Sequence, residues 1–388
     1  MKKCIVIPHS FKGTLSSMEI CAILQGQINT FFPECEVIQL PVADGGEGTV
    51  DCFLQAMEGG QKIIAETTGP WGETVSAGYA MFADTAVIEL ASAAGLPMVE
   101  GCKDPGRTTT YGVGTLIRDA VLHGAKSIVL GLGGSCTNDG GCGAAAALGV
   151  KFFNVEGKAF IPTGATLVDI ASIDTTDCDE LLQGISITAM CDINNPMFGE
   201  NGAACVFGPQ KGAAGRQVDE LDYQLRCLNS ALLEHLGTDI STIPGSGAAG
   251  AFGAGAVAFF GAELKPGIEI VLDLVQFDQL LPGTDMVFTG EGKIDRQSLQ
   301  GKVVIGVVRR AKRQGVPVTA IVGDVDDDAY GAYGEGVTAI FSTNRKAISF
   351  SEAKNRSQFD LEHCIEDIMR YTKTIISSNT YSIDNIAL

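Results

Sequence analysis

Five short segments set acids, amides, hydroxyls or a lysine among glycines: Ser10-Phe11-Lys12-Gly13, Asp44-Gly45-Gly46-Glu47-Gly48, Gly133-Gly134-Ser135-Cys136-Thr137-Asn138-Asp139-Gly140-Gly141, Asp192-Ile193-Asn194-Asn195 and Gly290-Glu291-Gly292-Lys293-Ile294-Asp295. Glycine lets a backbone come close to a phosphate and aim N–H groups at it, and carboxylates hold Mg2+ through oxygen ligands and water. Phosphoryl transfer needs little more than positioning, a cation and a group that orients the attacking hydroxyl. Singly, each segment has a structural reading as well. Asp44 and Glu47 suit a helix N-terminus, Lys12 a solvated turn, Gly133-Gly134 a tight turn, and Asp192 with Asn194 a cap. Each, however, follows a predicted strand, the edge of a parallel sheet where ligands gather. That shared position favours phosphate handling. His9 reads as a surface turn histidine ahead of a general base, and Cys136 and Cys142 as buried or spectator thiols, no histidine lying nearby.

The elements that must hold these loops follow two rhythms. The chain opens as strand, turn and helix: residues 3–7 are apolar and β-branched, and Ser16 with Glu19 forms a capping box. A strand at 36–42, the acidic loop and a helix over 50–57 repeat the unit, which predicts a parallel sheet. From residue 59 strands at 62–68, 74–82 and 85–90 follow one another with no helix between them. Alternation then returns, with a helix over 110–123, strand 127–132, helix 144–148 and strand 185–191. Residues 218–235 read as an amphipathic helix with leucines at 221, 225, 228 and 232 on one face. The first rhythm resumes with strand 286–289, loop 290–295, helix 302–314 and strand 318–322, and a last helix covers 361–376. The predicted fold class is α/β in two domains. A Rossmann- or flavodoxin-like parallel-sheet domain of residues 1–60 plus 284–388 is interrupted by a second α/β domain with a mixed sheet, 61–283; a simple division into N- and C-terminal halves is the competitor.

A length of 388 residues suits two domains, and 45% hydrophobic with 19% charged residues is a globular composition. The net charge, 27 − 46 = −19, repels nucleic acid and anionic membranes, so neither is an expected partner. Anionic substrates must then be held locally, by a few lysines or arginines, N–H groups or Mg2+. Twelve cysteines without a CxxC pair and four histidines show neither a zinc cluster nor a disulfide framework. The opening MKKCIVIPHS lacks the apolar run of a signal peptide, which leads to an expected cytoplasmic location. Residues 245–262 carry no charge, yet their glycines favour a buried helix behind a tight loop over a membrane span. Neither a Gly-x4-Gly-Lys-Ser/Thr loop nor a His-Arg-Asp set occurs, which excludes P-loop and protein-kinase mechanics.

Taken in order, PHSFKGTLSS, PVADGGEGT, TTTYGVG, GLGGSCTNDGGCG, CDINNPMFG, VFGPQKGA, PGSGAAG and TGEGKIDRQSLQGK resemble the type I glycerate kinase family. The resemblance implies transfer of the ATP γ-phosphate to D-glycerate with Mg2+, with 2-phosphoglycerate favoured over 3-phosphoglycerate, in a cleft between two domains of which one interrupts the other. Glycerate and ATP are the implied small-molecule partners; a homo-oligomer stays open. By the same resemblance Lys12, Asp44, Glu47, Asp192 and Glu291 are candidate catalytic residues, with Asp44, Asp192 and Glu291 as candidate Mg2+ ligands. Substrate and phosphate binding would fall to Ser10, Gly13, Gly45, Gly46, Gly133, Gly134, Ser135, Thr137, Asn138, Asp139, Asn194, Gly290, Gly292, Asp295 and Lys302. One departure is His9, where the family's first motif usually carries an aspartate. A kinase of another small hydroxy acid, or a non-catalytic metabolite sensor that keeps the pocket, are the alternatives.

Overall fold

The structure, a computed structural model, describes residues 1–296 and 298–384, without the side chains of Gln300 and 379–384. Gln297 and residues 385–388, assigned by sequence to the first domain, lie outside the described residues. The chain divides into two compact units, Met1–Ala43 with Ile268–Leu388, and Asp44–Gly267.

In the first unit the apolar runs pair as a wholly parallel five-stranded sheet in the order Ala339–Ser342, Val318–Val322, Met286–Gly290, Lys3–Pro8, Glu36–Gln39. Counted along the chain within this unit, that is the 2-1-3-4-5 order of flavodoxin-like sheets, whose ligands collect where the order reverses, between the first and third strands. Here those strands are Lys3–Pro8 and Met286–Gly290, in register from Cys4 with Met286 to Pro8 with Gly290. Their residues Ile5, Val6, Ile7, Val287 and Phe288 are buried, as a strand covered on both faces requires. The helices Ser17–Phe31 and Ser357–Asp384 pack together through Ile20, Leu24 and Ile28 against Leu361, Ile365 and Met369. Ser16 and Glu19 form the predicted capping box, Ser16 N donating to Glu19 Oε2 at 2.8 Å.

The second unit holds the predicted mixed sheet of six strands. Gly60–Thr68, Thr74–Phe82 and Thr85–Glu89 form an antiparallel meander, continued in parallel by Ser127–Gly131, Ser186–Met190 and Glu263–Lys265. A small antiparallel sheet of Lys151–Phe153, Ala159–Phe160 and Ser172–Asp174 was not foreseen. The amphipathic helix spans Arg216–Leu236 and buries Leu221, Leu225, Leu228 and Leu232 as its spacing demands. The uncharged stretch folds as the buried, kinked segment Ala248–Phe260, helical beyond the left-handed residues Ala249, Gly250 and Ala251, and no described helix is long and apolar enough to cross a membrane.

The units part at 43/44 and 267/268, where the sequence reading had 60/61 and 283/284. The difference has local causes. Helix Thr49–Ala56 is stitched to the second unit, its Val50 N–H donating to Glu89 Oε1 at 2.6 Å and its Asp51 pairing with Lys62. Helix Gly267–Leu274 is drawn to the first unit by Arg310, which makes ion pairs with Glu269 and Asp273.

Candidate active site

The first unit brings two predicted segments side by side at the sheet's switch point. His9 N donates to Gly290 O at 2.8 Å, and His9 also bridges to Val42. His9 is therefore buried at the strand end, not the surface turn residue expected. Ser10 is half-buried, and Lys12 and Gly13 are exposed beyond it. On the neighbouring strand end Glu291 is only 7% exposed, and its Oε1 has no hydrogen-bond partner. Burial pushes its carboxyl up to about 7; the Ser298 hydroxyl and the Lys302 and Lys12 charges pull it back, and Asp295 adds to the rise. Gly290 leaves no room for a side chain, since a Cβ would lie 1.9 Å from Ile321 O. Gly292 is half-buried, its absent Cβ 3.5 Å from Lys12 N. Asp295 closes a local turn, its Oδ1 accepting from Ser298 N at 3.1 Å while Asp295 N donates to Ser298 Oγ. Lys302 is the residue before helix Val303–Arg313, whose first N–H groups carry the positive end of the helix dipole.

The second unit holds the other three segments. In the acidic loop Asp44 is half-buried and Glu47 exposed. The following helix has Gly48 at its N-cap and Glu89, which the sequence reading missed, accepting from its Val50 N–H. The glycine pairs have a packing reason in addition to any ligand. Gly133 N donates to Gly45 O at 2.9 Å, and a Cβ on Gly133 would lie 2.6 Å from Gly46 Cα. Gly134 is exposed at the tip. Asp192 and Asn194 are exposed, and Asp192 Oδ1 accepts from Gly267 N at 2.7 Å.

Beyond Gly134 the long loop plunges inward: Ser135, Thr137, Asn138 and Asp139 are all buried. Asp139 is held by Thr110 N and Oγ1, each at 2.8 Å, and by Gly141 N and Gly143 N. Burial pushes its carboxyl up and those donors pull it down. Its lone pairs are spent inside the protein, so it clamps the loop and leaves cation or substrate contact to others. Lys211, also missed, reaches in from the VFGPQKGA run; its Nζ donates to Ser135 Oγ and Thr137 O, both at 2.7 Å. Thr137 Oγ1, Asn138 Oδ1 and Nδ2, and Ser246 Oγ are buried with no partner. Cys136 and Cys142 are buried thiols as expected, Cys136 pushed up to about 12 by burial, which makes it a poor nucleophile. Among the described residues no three His, Cys, Asp or Glu side chains gather to hold a metal ion.

Glycine-rich loops at strand ends, a buried acid whose carboxyl burial raises to about 7 and nearby lysines are compatible with phosphoryl transfer. The model of the family described as "Glycerate kinase family" matches residues 4–373. The chain belongs to the glycerate kinase family. It is 42% identical to a glycerate kinase of Bacillus cereus over 94% of this chain and 97% of that one. To the glycerate 2-kinase of Escherichia coli K12 it is 41% identical, over 90% of this chain and 93% of the relative. A crystal structure from Salmonella typhimurium LT2, provisionally assigned as glycerate kinase 2, superposes with a TM-score of 0.85 at 36% identity, covering 97% of this chain and 99% of the other. Family membership thus extends over both units, and over every loop described above.

Proposed function

We propose that this chain is an ATP-dependent D-glycerate kinase of the cytoplasm that forms 2-phosphoglycerate. The observation that carries the reading is its identity with curated glycerate kinases over nearly the whole of both chains. In the proposed reaction the acceptor hydroxyl oxygen bonds to the γ-phosphorus, the bond from that phosphorus to the ADP oxygen breaks, and the hydroxyl proton passes to the protein. Glu291 is assigned that proton. One of its oxygens is unpartnered, and a carboxyl held near 7 can accept a proton at neutral pH and give it up again. Lys12 and Lys302 are assigned the phosphate charge, and the N–H groups of Gly13 and Gly292 its oxygens.

Asp44 and Asp192 fit Mg2+, being carboxylates with solvent-facing surface, and Mg2+ is commonly held by one or two carboxylates together with the nucleotide's own phosphates. When bound, the ion would draw charge from the phosphate oxygens. Free thiols at all twelve cysteines agree with a reducing compartment. A coupled ADP-release assay with D-glycerate and ATP·Mg2+ tests the reading: glycerate-dependent turnover is expected, and its absence would sink it. Thermal stabilisation by glycerate without turnover would mark a sensor instead. The 31P NMR spectrum of the product identifies the hydroxyl.

A further inference from the structure

A buried ammonium is unfavourable unless an anion neutralises it, and a buried polar side chain is unfavourable unless something bonds to it. Lys211 is 2% exposed, and among the described residues its Nζ hydrogen-bonds only to a hydroxyl and a carbonyl. The nearby carboxylate, Asp139, is already engaged by Thr110, Gly141 and Gly143 and makes no ion pair with it. On the very loop that Lys211 grips, Thr137 Oγ1 and both amide atoms of Asn138 are buried without partners. Backbone also crowds that loop: a Cβ on Gly250 would lie 2.0 Å from Thr137 O. Gly250 stands between Ala249 and Ala251, all three left-handed, with φ of 70°, 55° and 63° respectively. Two alanines in that region are costly and persist only where their surroundings impose it.

We infer that Lys211, with the side chains of Asn138 and Thr137, forms a receptor for a small oxyanion group, a carboxylate or a phosphate, brought in by a substrate. An oxyanion supplies the missing charge for the ammonium and acceptors for the Asn138 amide and Thr137 hydroxyl. Gly133 is half-buried and Gly134 exposed, at the more open end of the same loop. The inference rests on the kinase reading only for the identity of the anion: the carboxylate would be that of the hydroxy acid, the phosphate that of the nucleotide.

Calorimetric titration of the full-length protein with D-glycerate, inorganic phosphate and AMP-PNP·Mg2+, in wild type, Lys211→Met and Asn138→Asp, tests it. Both variants are expected to weaken binding of at least one probe by about 30-fold or more, as removal of a buried charge partner does. Loss confined to glycerate identifies a carboxylate receptor; loss with AMP-PNP identifies a phosphate receptor. A folded Lys211→Met protein that binds all three within about fivefold of wild type overturns the inference. Phosphate binding lost in the variant of a protein that turns over no glycerate would sink the kinase reading and leave this one standing. Should the variants fail to fold, the wild type decides. Burial lowers Lys211 to about 8, while its neighbours Cys136 and Asp139 pull it back up, so anion binding at pH 8.5 must take up a proton. Titration of D-glycerate and AMP-PNP in two buffers of different ionisation enthalpy reads that uptake; none with either ligand overturns the proposal.

Discussion

Asp139 in the second unit and Glu291 in the first are both buried acids in glycine-rich loops after a strand, yet the protein treats them in opposite ways. Asp139 receives four hydrogen bonds from Thr110, Gly141 and Gly143. Glu291 keeps one oxygen without a partner, and burial raises its carboxyl to about 7 against the pull of Ser298, Lys302 and Lys12. Burial alone does not mark a catalytic acid; a buried acid with unspent hydrogen-bonding capacity is what reaction chemistry can use. By that measure Asp139 builds its own loop, and Glu291 is the acid proposed for the chemistry.

The comparison breaks most visibly at Asp139. In Asp139→Asn the new NH2 must face at least one N–H or O–H donor that the carboxylate now accepts. The expected loss is about 3 kcal/mol or more in urea unfolding, the cost of disrupting a buried charged network. A loss under about 1 kcal/mol would show that the clamp is not structural. Glu291→Gln should do the reverse, cutting kcat by about 100-fold while leaving the fold intact. Its effect on stability has a definite sign. The folded carboxyl lies at about 7 against an ordinary 4.5, so stability owed to its proton is complete below 4.5 and is lost as pH rises through 7. Glutamine cannot lose that proton, so the variant should melt no lower than wild type at pH 6 and higher at pH 8. Equal pH slopes in the two proteins would refute this. A smaller effect is expected at Asp44, where Asn should lower kcat by about tenfold, with part of the loss recovered at higher Mg2+. Wild-type rates in Asp44→Asn would remove the acidic loop from the reaction.

How much of this was legible beforehand follows from the range of the interactions. The switch-point loops could be read because apolar strands and the turns after them are local signals, and Ser16 with Glu19 is a contact three residues apart. Lys211 could not be read as a buried cation. Its partner Ser135 is 76 residues away, and a lysine after Pro209-Gln210 and before Gly212 looks like a solvated turn residue. Asp139 reads as a ligand until Thr110, 29 residues earlier, is seen to occupy it. The same holds for His9, a buried residue whose backbone pairs with Gly290 and Val42, far from it in the chain. Helix Thr49–Ala56 keeps the rhythm of the first unit in sequence but belongs to the second through Glu89. Residue type revealed which loops could bear chemistry; long-range contacts decided which side chains in them were still free to do it.

Glu89 grades the comparison more finely, because it lies between the two extremes. It is 8% exposed and accepts from Val50 N at the start of helix Thr49–Ala56. Burial raises its carboxyl above the ordinary value, while the N–H groups of Val50 and Gly48 lower it. Glu89→Gln keeps an oxygen for Val50 but loses the charge, so a weaker cap is set against relief from burying an ion. The two should nearly cancel at pH 7, within about 1 kcal/mol in urea unfolding. As with Glu291, the raised carboxyl makes wild type lose stability once pH passes through its folded value, so any advantage of the variant must grow with pH. Turnover should stay within about threefold of wild type, since Glu89 serves the loop's helix and not the substrate. A hundredfold loss of kcat with stability unchanged would move Glu89 to the side of Glu291 and make the acidic loop's support part of the chemistry.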